Sequence, residues 1–405
     1  MNRIIYKGFA AAFVALTLTA CAGRKTYERP NVVNEKLFRT DNIPTDSLSS
    51  ANVSWRNIFT DATLQGHINK ALSNNLDVRV AMQNVASAQA YLKQSKAAFI
   101  PTFAAQANYT RATSSINAMG GVGERTYGNL WDLTGSASWE ADIWGKLSAQ
   151  KRASYASYLA TVEAQKAVQS EVVATLATAY YQLLMLDKQK KVLEQTIDFR
   201  QKSLETTKHL KEAGSTTEVA TKQIEALVYN AQAQLVTIGN SIWALENTIC
   251  VLLGEEPHAI ERTTLAEQQF PTEFKQGYAA KLLQNRPDVA RAELSLRNAF
   301  EMTNVARAAF YPTLTLSARG GFSSTELDTW ISAKSIFANF VAGLAQPILN
   351  GRQIRTQYEV RQIEQETALL NFKKVILSAG KEVADAMQNF SNQTEFIELK
   401  NKEMK

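Results

Sequence analysis

Lys96-Ala97-Ala98-Phe99-Ile100-Pro101-Thr102 returns 211 residues later as Arg307-Ala308-Ala309-Phe310-Tyr311-Pro312-Thr313. The match runs back without a gap to Asn74-Asn75-Leu76-Asp77-Val78, which aligns with Asn285-Arg286-Pro287-Asp288-Val289. Ala81/Ala292 and Ala88/Ala299 also agree. Self-similarity of this kind marks two copies of one structural unit. The period is far too long for a solenoid, so a half-domain has been duplicated. In each copy a helical pattern runs into Pro101 or Pro312 and an alternating pattern follows. Proline stops a helix and favours extended backbone before it.

The alternating segments number four, two per copy. In the first, Phe103, Ala105, Ala107 and Tyr109 share a face. In the second, Trp131, Leu133, Gly135, Ala137 and Trp139 oppose Asp132, Thr134, Ser136, Ser138 and Glu140. Leu314, Leu316, Ala318, Gly320 and Phe322 form the third, and a weaker fourth runs through Ile336, Ala338, Phe340, Ala342 and Leu344. A period of two over about 10 residues, with aromatics near the ends, fits a tilted transmembrane strand. Tyr109, Trp131 and Trp139 suit an interfacial girdle. A soluble hairpin with one buried face shows the same alternation, so the period alone leaves both open. Four strands cannot close a barrel, for which about eight is the practical minimum. If these strands span a membrane, several chains must each contribute a stave, because open edges in lipid leave backbone groups unpaired.

Between the strand pairs lie long helices. Lys146 to Leu210 contains no proline or glycine and would extend about 100 Å as a helix, with apolar positions from Val168 to Leu204 at helical spacing. Gly214-Ser215-Thr216-Thr217 makes a turn, Gly214 supplying positive φ and the hydroxyls offering helix caps. The return helix carries a heptad seam of Ile224, Val228, Ala231, Leu235, Ile238, Ile242, Leu245, Ile249 and Leu252, ending at Gly254. A coiled-coil stalk in water would show the same seam.

The N-terminus resembles a secretory leader: Arg3 and Lys7, a short apolar run, then Leu18-Thr19-Ala20-Cys21. The last four residues resemble a bacterial lipobox, which implies acylation of Cys21, and Ala22 in place of Asp favours outer-membrane sorting. Beyond the leader no run of 18 apolar residues appears. The most apolar stretch, Val168 to Leu186, carries Glu171 and Gln182, so a spanning part would have to be β. With 45% hydrophobic and 20% charged residues in 405, general disorder is excluded. The formal charge of +6 is spread among acids along helical stretches, which is no nucleic-acid footprint. Cys250 reads as a small buried hydrophobe. His67, His209 and His258 lack metal-ligand spacing, and Gly120-Gly121-Val122-Gly123 lacks the lysine and the strand–helix context of a phosphate loop. No cofactor, metal or enzymatic activity is expected.

Four blocks in order resemble the TolC-like outer-membrane factors of tripartite efflux pumps, in their lipoprotein branch. These are Trp55-Arg56-Asn57-Ile58-Phe59-Thr60-Asp61 with Leu64, Ala141-Asp142-Ile143-Trp144-Gly145-Lys146, Asn285 to Val289 with Ala308 to Leu314, and Gln346-Pro347-Ile348-Leu349-Asn350-Gly351-Arg352. The resemblance covers about residues 50–405. It implies a mainly α fold with a membrane β part and long coiled-coil hairpins. It further implies a homotrimer with a twelve-stranded barrel and a helical tunnel. The implied function is passive export of drugs or other small molecules delivered by an inner-membrane pump and a periplasmic adaptor. The hairpin tip (Lys211, Gly214, Ser215, Thr216, Thr217, Glu218) would contact the adaptor. Pro101, Gly145, Pro312, Pro347 and Gly351 would mark the helix–strand junctions. A duct for protein secretion and a coiled-coil lipoprotein without a pore are the alternatives.

The expected division is a leader over 1–20, a lipid-anchored tether over 21–60, a first repeat over 61–270 and a second over 271–405. The first repeat holds strands near 102–111 and 130–140 and a hairpin over 145–253. The second holds a helix, strands near 313–322 and 335–346, and a helix over 352–405. Matching Gly351 to Gly145 sets Lys405 opposite Phe199, so the second copy lacks a return helix and the chain is expected to be a fragment.

Overall fold

The computed structural model describes residues 25–31, 54–117, 124–269 and 285–403. The leader, Cys21 and Gly120 to Gly123 lie outside the described residues. In chain order the elements are α1 (Trp55–Ile58), α2 (Ala62–Asn74), α3 (Leu76–Ala97), β1 (Thr102–Thr113), β2 (Tyr127–Ala141), α4 (Lys146–Glu212), α5 (Glu218–Leu253), α6 (Pro287–Ala308), β3 (Thr313–Ser324), β4 (Ile336–Ala345) and α7 (Gln353–Glu403). They divide into a sheet unit, within 1–32, 87–160 and 292–374, and a helical unit, within 33–86, 161–291 and 375–405.

The duplication is exact in secondary structure over the first helix and first strand of each copy, while the second strands differ, 15 residues in β2 against 10 in β4. Helices α3 and α6 are both 22 residues long, strands β1 and β3 both 12, and all their bounds lie 211 apart. The turn between them repeats its hydrogen bond: the Ile100 amide donates to the Ala97 carbonyl at 2.9 Å, and the Tyr311 amide to that of Ala308 at 3.1 Å. Pro101 and Pro312 follow these turns, where a missing N–H is harmless.

In the sheet unit the four strands are antiparallel in the order β1-β2-β3-β4. The register sets Ala105 opposite Gly135, Gly135 opposite Gly320, and Gly320 opposite Ala338. Residues directly opposite share a face, so Phe103, Leu133, Phe322 and Phe340 fall on one side and Thr134, Ser136, Ser317 and Asn339 on the other, with Leu130, Phe337 and Val341 as apolar exceptions on the polar side and Arg111 and Asn129 as polar ones at the end of the apolar side. Gly321 is required by close approach, because a Cβ there would lie 1.9 Å from the Leu133 carbonyl oxygen. Next to the sheet, Ala149, Ala153 and Ala156 of α4 are buried at helical spacing. Their small side chains let α6 approach. Arg152 reaches across with two hydrogen bonds to Glu301 at 2.7 and 2.8 Å, and Asn298 donates to the Ala153 carbonyl at 2.8 Å.

The helical unit is built on α2, α4 and α5. Leu64 and Ile68 meet Leu176, Tyr180 and Leu183 of α4 and Ile249 and Leu253 of α5 in one cluster. Every predicted seam residue of α5 is buried or half-buried. The seam makes α5 the most apolar helix: an 18-residue window reaches a mean hydropathy of 1.3, enough by length and composition to cross a membrane. This corrects the sequence reading, which placed the most apolar stretch at Val168 to Leu186. The α5 seam from Ile238 to Leu252 packs in the cluster with α2 and α4, and the rest of the apolar surplus lies off the seam, where Leu227, Tyr229, Val236, Trp243 and Val251 are exposed.

Asn75 breaks α2 from α3 and caps two helices. Its Oδ1 accepts from the Asp77 and Val78 amides at 2.9 and 3.1 Å, and its Nδ2 donates to the Leu252 carbonyl of α5 at 3.0 Å. Gly254 ends α5 at φ +71, where the Glu255 amide closes back onto the Cys250 carbonyl at 2.9 Å. That left-handed cap is the usual use of glycine at a helix C-terminus.

Candidate functional site

Three places carry the predicted site residues: the sheet, the helix–strand junctions, and the hairpin tip. The sheet has a face suited to lipid and a face suited to water. On the apolar face Tyr109 packs on Trp131 with ring centroids 4.2 Å apart, and Trp131 on Trp330 of the β3–β4 loop at 5.7 Å. Trp139, at the other end of β2, donates its indole N–H to the Phe99 carbonyl at 3.0 Å. Aromatics thus stand at both ends of the apolar band. The polar face carries Thr134, Ser136 and Arg319, whose guanidinium lies 5.7 Å from the Phe337 ring centre. Among the described residues, strands β1 and β4 are paired on one side only, so each presents an edge.

The first junction leaves β2 through Asp142 to Gly145. Asp142 caps α4: its carboxylate accepts from the Leu147 amide at 2.8 Å, the Ser148 amide at 2.9 Å and the Ser148 hydroxyl at 2.5 Å. Gly145 makes the corner at φ +74. Trp144 stacks on Tyr311 at 4.8 Å and donates to the Pro312 carbonyl at 2.7 Å, tying the β2–α4 corner of one copy to the α6–β3 turn of the other. The second junction, Pro347 to Arg352, has two left-handed residues, Gly351 at φ +61 and Arg352 at φ +68. Because α4 begins at Lys146 and α7 at Gln353, Arg352 takes the place of Gly145. The sequence match of Gly351 to Gly145 is therefore shifted by one residue. A glycine pairs with a glycine by identity, whereas the corner is fixed by the strand register and the helix start.

At the tip, Gly214 turns the chain at φ +75, and the Ser215 amide returns to the Leu210 carbonyl at 2.8 Å. Of the three hydroxyl residues offered as caps, Thr217 fills the position, its Oγ1 accepting from the Ala220 amide at 3.3 Å. Ser215 and Thr216 belong to the turn. Lys211 and Glu218 form an ion pair across it, and the hydrogen bond from Lys211 holds the Glu218 carboxyl below its usual range. Leu210 and Val219 flank the turn and are exposed.

Further contacts that the sequence did not single out complete the framework. Asp61, the last residue of the Trp55–Asp61 block, caps α2 through the Thr63 amide at 2.8 Å. Its other oxygen accepts from Tyr180 at 2.8 Å, Thr263 at 2.6 Å and Gln268 at 2.9 Å. Desolvation pushes this carboxyl upward, but the hydrogen bonds from Thr263, Gln268, Tyr180 and the Thr63 amide outweigh it and hold the pKa at about 2. Residues 25–31, within the predicted tether, lie against α6: Tyr27 meets Phe300 edge-on at 5.6 Å and Arg29 pairs with Glu293 at 2.9 Å. Burial pushes the Tyr27 phenol up to about 12. Within the 21–60 segment, Trp55–Ile58 forms a helical turn. These contacts join residues more than 100 positions apart and leave no periodic trace.

His67 bonds the Glu261 carbonyl at 2.8 Å, and Cys250 is buried beside His258. Among the described residues no group of three or more His, Cys, Asp or Glu side chains is placed to hold a metal ion.

An internally duplicated chain with a long helical hairpin, a further long helix and four strands in one two-faced sheet is the architecture of an outer-membrane channel protein. The family model for outer membrane efflux proteins matches residues 67–255 and again 279–405. The chain belongs to the outer membrane efflux protein family. It is 27% identical over 385 residues to the cation efflux system protein CusC of Escherichia coli K12, covering 92% of this chain and 81% of that one. It is 27% identical over 365 residues to SilC of Salmonella typhimurium, a probable outer membrane lipoprotein, covering 89% of this chain and 78% of that one. The crystal structure of the MtrE outer membrane channel of Neisseria gonorrhoeae superposes with a TM-score of 0.80 at 24% identity, covering 92% of this chain and 82% of MtrE. The chain is thus an outer-membrane efflux protein with the TolC-like fold, and its relatives are channel proteins, not enzymes.

Proposed function

We propose that three copies of the chain assemble into a passive export duct, with four strands from each copy forming a twelve-stranded barrel and the helical hairpins walling a periplasmic tunnel. The observation that carries this reading is the four-stranded sheet with one apolar face, one polar face and two unpaired edges. In a bilayer such a sheet is stable only when its edges are paired by other copies. Acylation of Cys21 anchors each copy to the membrane. The tip from Lys211 to Glu218 meets a periplasmic adaptor, which links the duct to an inner-membrane pump. The duct supplies neither energy nor chemistry. The cargo is drugs or other small molecules, or cations, which the name of the relative CusC specifies.

Purified protein reconstituted into planar bilayers tests the duct directly. The expected result is discrete conductance steps from the assembled species and none from heat-dissociated chains. A coiled-coil lipoprotein without a pore would give no steps from either.

A further inference from the structure

Resting on the reading of the sheet as one stave of a closed barrel, the duplication fixes how neighbouring staves join. We propose that β4 of one chain pairs antiparallel with β1 of the next in the register that the chain already uses between β2 and β3. Leu344 then stands opposite the partner's Ala107, Ala342 opposite the partner's Tyr109, and Phe340 opposite the partner's Arg111.

The register follows from equivalences within one chain. Strand β3 repeats β1, so Leu316 takes the place of Ala105 and Gly320 that of Tyr109. Ala105 faces Gly135, and Leu316 faces Ala342, so Ala342 takes the place of Gly135. Gly135 faces Gly320 across the β2–β3 seam. Transferring that pair to the edges puts Ala342 opposite the partner's Tyr109. The same transfer of Ala137/Ala318 and Leu133/Phe322 gives the other two pairs.

The β2–β3 seam is the right template because no hairpin loop makes it. Its strands are separated in sequence by α4, α5 and α6. It is already a joint between two copies of the repeated unit, as β4–β1 would be. A barrel closes only at a fixed total stagger, and using the β2–β3 register at every β4–β1 seam supplies an even, repeating one. Alternation narrows the choice further: a slip by one residue would turn the polar face outward, leaving slips of two as competitors. The proposed pairs also match large to small, Leu344 with the partner's Ala107 and Ala342 with the partner's Tyr109, and they set the Phe340 ring beside the partner's Arg111. One detail of the template cannot be copied. Gly321, which touches the Leu133 carbonyl too closely for any Cβ, is replaced at the edge by Thr110. The new seam is therefore more open at that point, with the register unchanged.

Cysteine pairs read the register. Opposite residues on antiparallel strands have Cα atoms about 4.5–5.5 Å apart, within disulfide reach, while diagonal neighbours at about 7–8 Å are not. Within one chain β1 and β4 are separated by two strands, so any bridge between them joins two chains. The double variants Leu344→Cys/Ala107→Cys and Phe340→Cys/Arg111→Cys, oxidised in the native membrane, should give chain-to-chain products on a boiled non-reducing gel. Their yield should exceed that of Leu344→Cys/Ala105→Cys and Leu344→Cys/Tyr109→Cys by about tenfold. Preferential cross-linking of either shifted pair, or of none, in a protein whose unheated reduced form is still a trimer overturns the register and leaves the trimer standing. If the unheated protein has the mass of one chain, the trimer fails and the register with it. The second in-register pair decides the matter should the first disturb assembly.

Discussion

Asp61 shows how much one side chain can organise. Its carboxylate caps α2 and collects donors from Tyr180, Thr263 and Gln268, so its removal leaves buried donors without an acceptor. Asp61→Ala should destabilise the helical unit by about 2–4 kcal/mol, read from the thermal unfolding of the purified protein. The pH dependence has a definite sign. The folded pKa of about 2 lies below the ordinary value of 3.8. The contribution, about 2 kcal/mol, is therefore complete above pH 4 or so and is lost as pH falls through about 2. Wild type and variant should converge over that window and stay apart at neutral pH. At Gly254 two constraints coincide: φ is +71, and a Cβ would lie 2.7 Å from the Asn74 carbonyl oxygen. Gly254→Ala should cost about 1–3 kcal/mol and speed hydrogen exchange at the Asp77 and Val78 amides, which Asn75 caps from the same joint.

Among the elements, the strands and the hairpin helices were legible because each repeats a period. The alternation from Phe103 to Tyr109 and the seam from Ile224 to Leu252 both report a buried or lipid-facing stripe, and Pro101 and Pro312 mark where one period replaces the other. What stayed illegible depends on single contacts between distant residues: Trp144 on Pro312, Arg152 on Glu301, Tyr27 on Phe300. The shifted corner at Arg352 belongs here too, since identity favoured Gly351 and geometry favoured its neighbour. Arg352 occupies at φ +68 a corner that Gly145 makes at φ +74. A non-glycine residue there costs about 1 kcal/mol, and the exposed pair with Glu359 returns little. Arg352→Gly should thus be neutral to slightly stabilising, whereas Gly145→Arg should lower stability by about 1–2 kcal/mol, both read from thermal midpoints. At the tip, Lys211→Glu breaks an exposed pair and should leave stability within about 0.5 kcal/mol. If the tip meets an adaptor, the same variant should lose co-purification of the adaptor and raise cellular accumulation of the exported compound.

At the scale of the whole molecule, the sheet presents two edge strands, β1 and β4. A two-faced sheet of four strands has no stable place in a bilayer by itself, and a duplicated chain offers equivalent seams at which copies can join. In the proposed assembly, the aromatic ends of the apolar band, the small residues on the helices beside the sheet, and the capped corners all belong to a stave whose neighbours are further staves. If the strands span a membrane, the need for several copies follows from strand count; the number three comes from resemblance, because no periodicity within one chain counts its neighbours. The most direct test is the native mass of the detergent-solubilised, unheated protein. A mass of three chains, falling to one on heating with loss of β-structure, is the predicted result. A folded single chain that keeps its four strands in detergent would contradict the account.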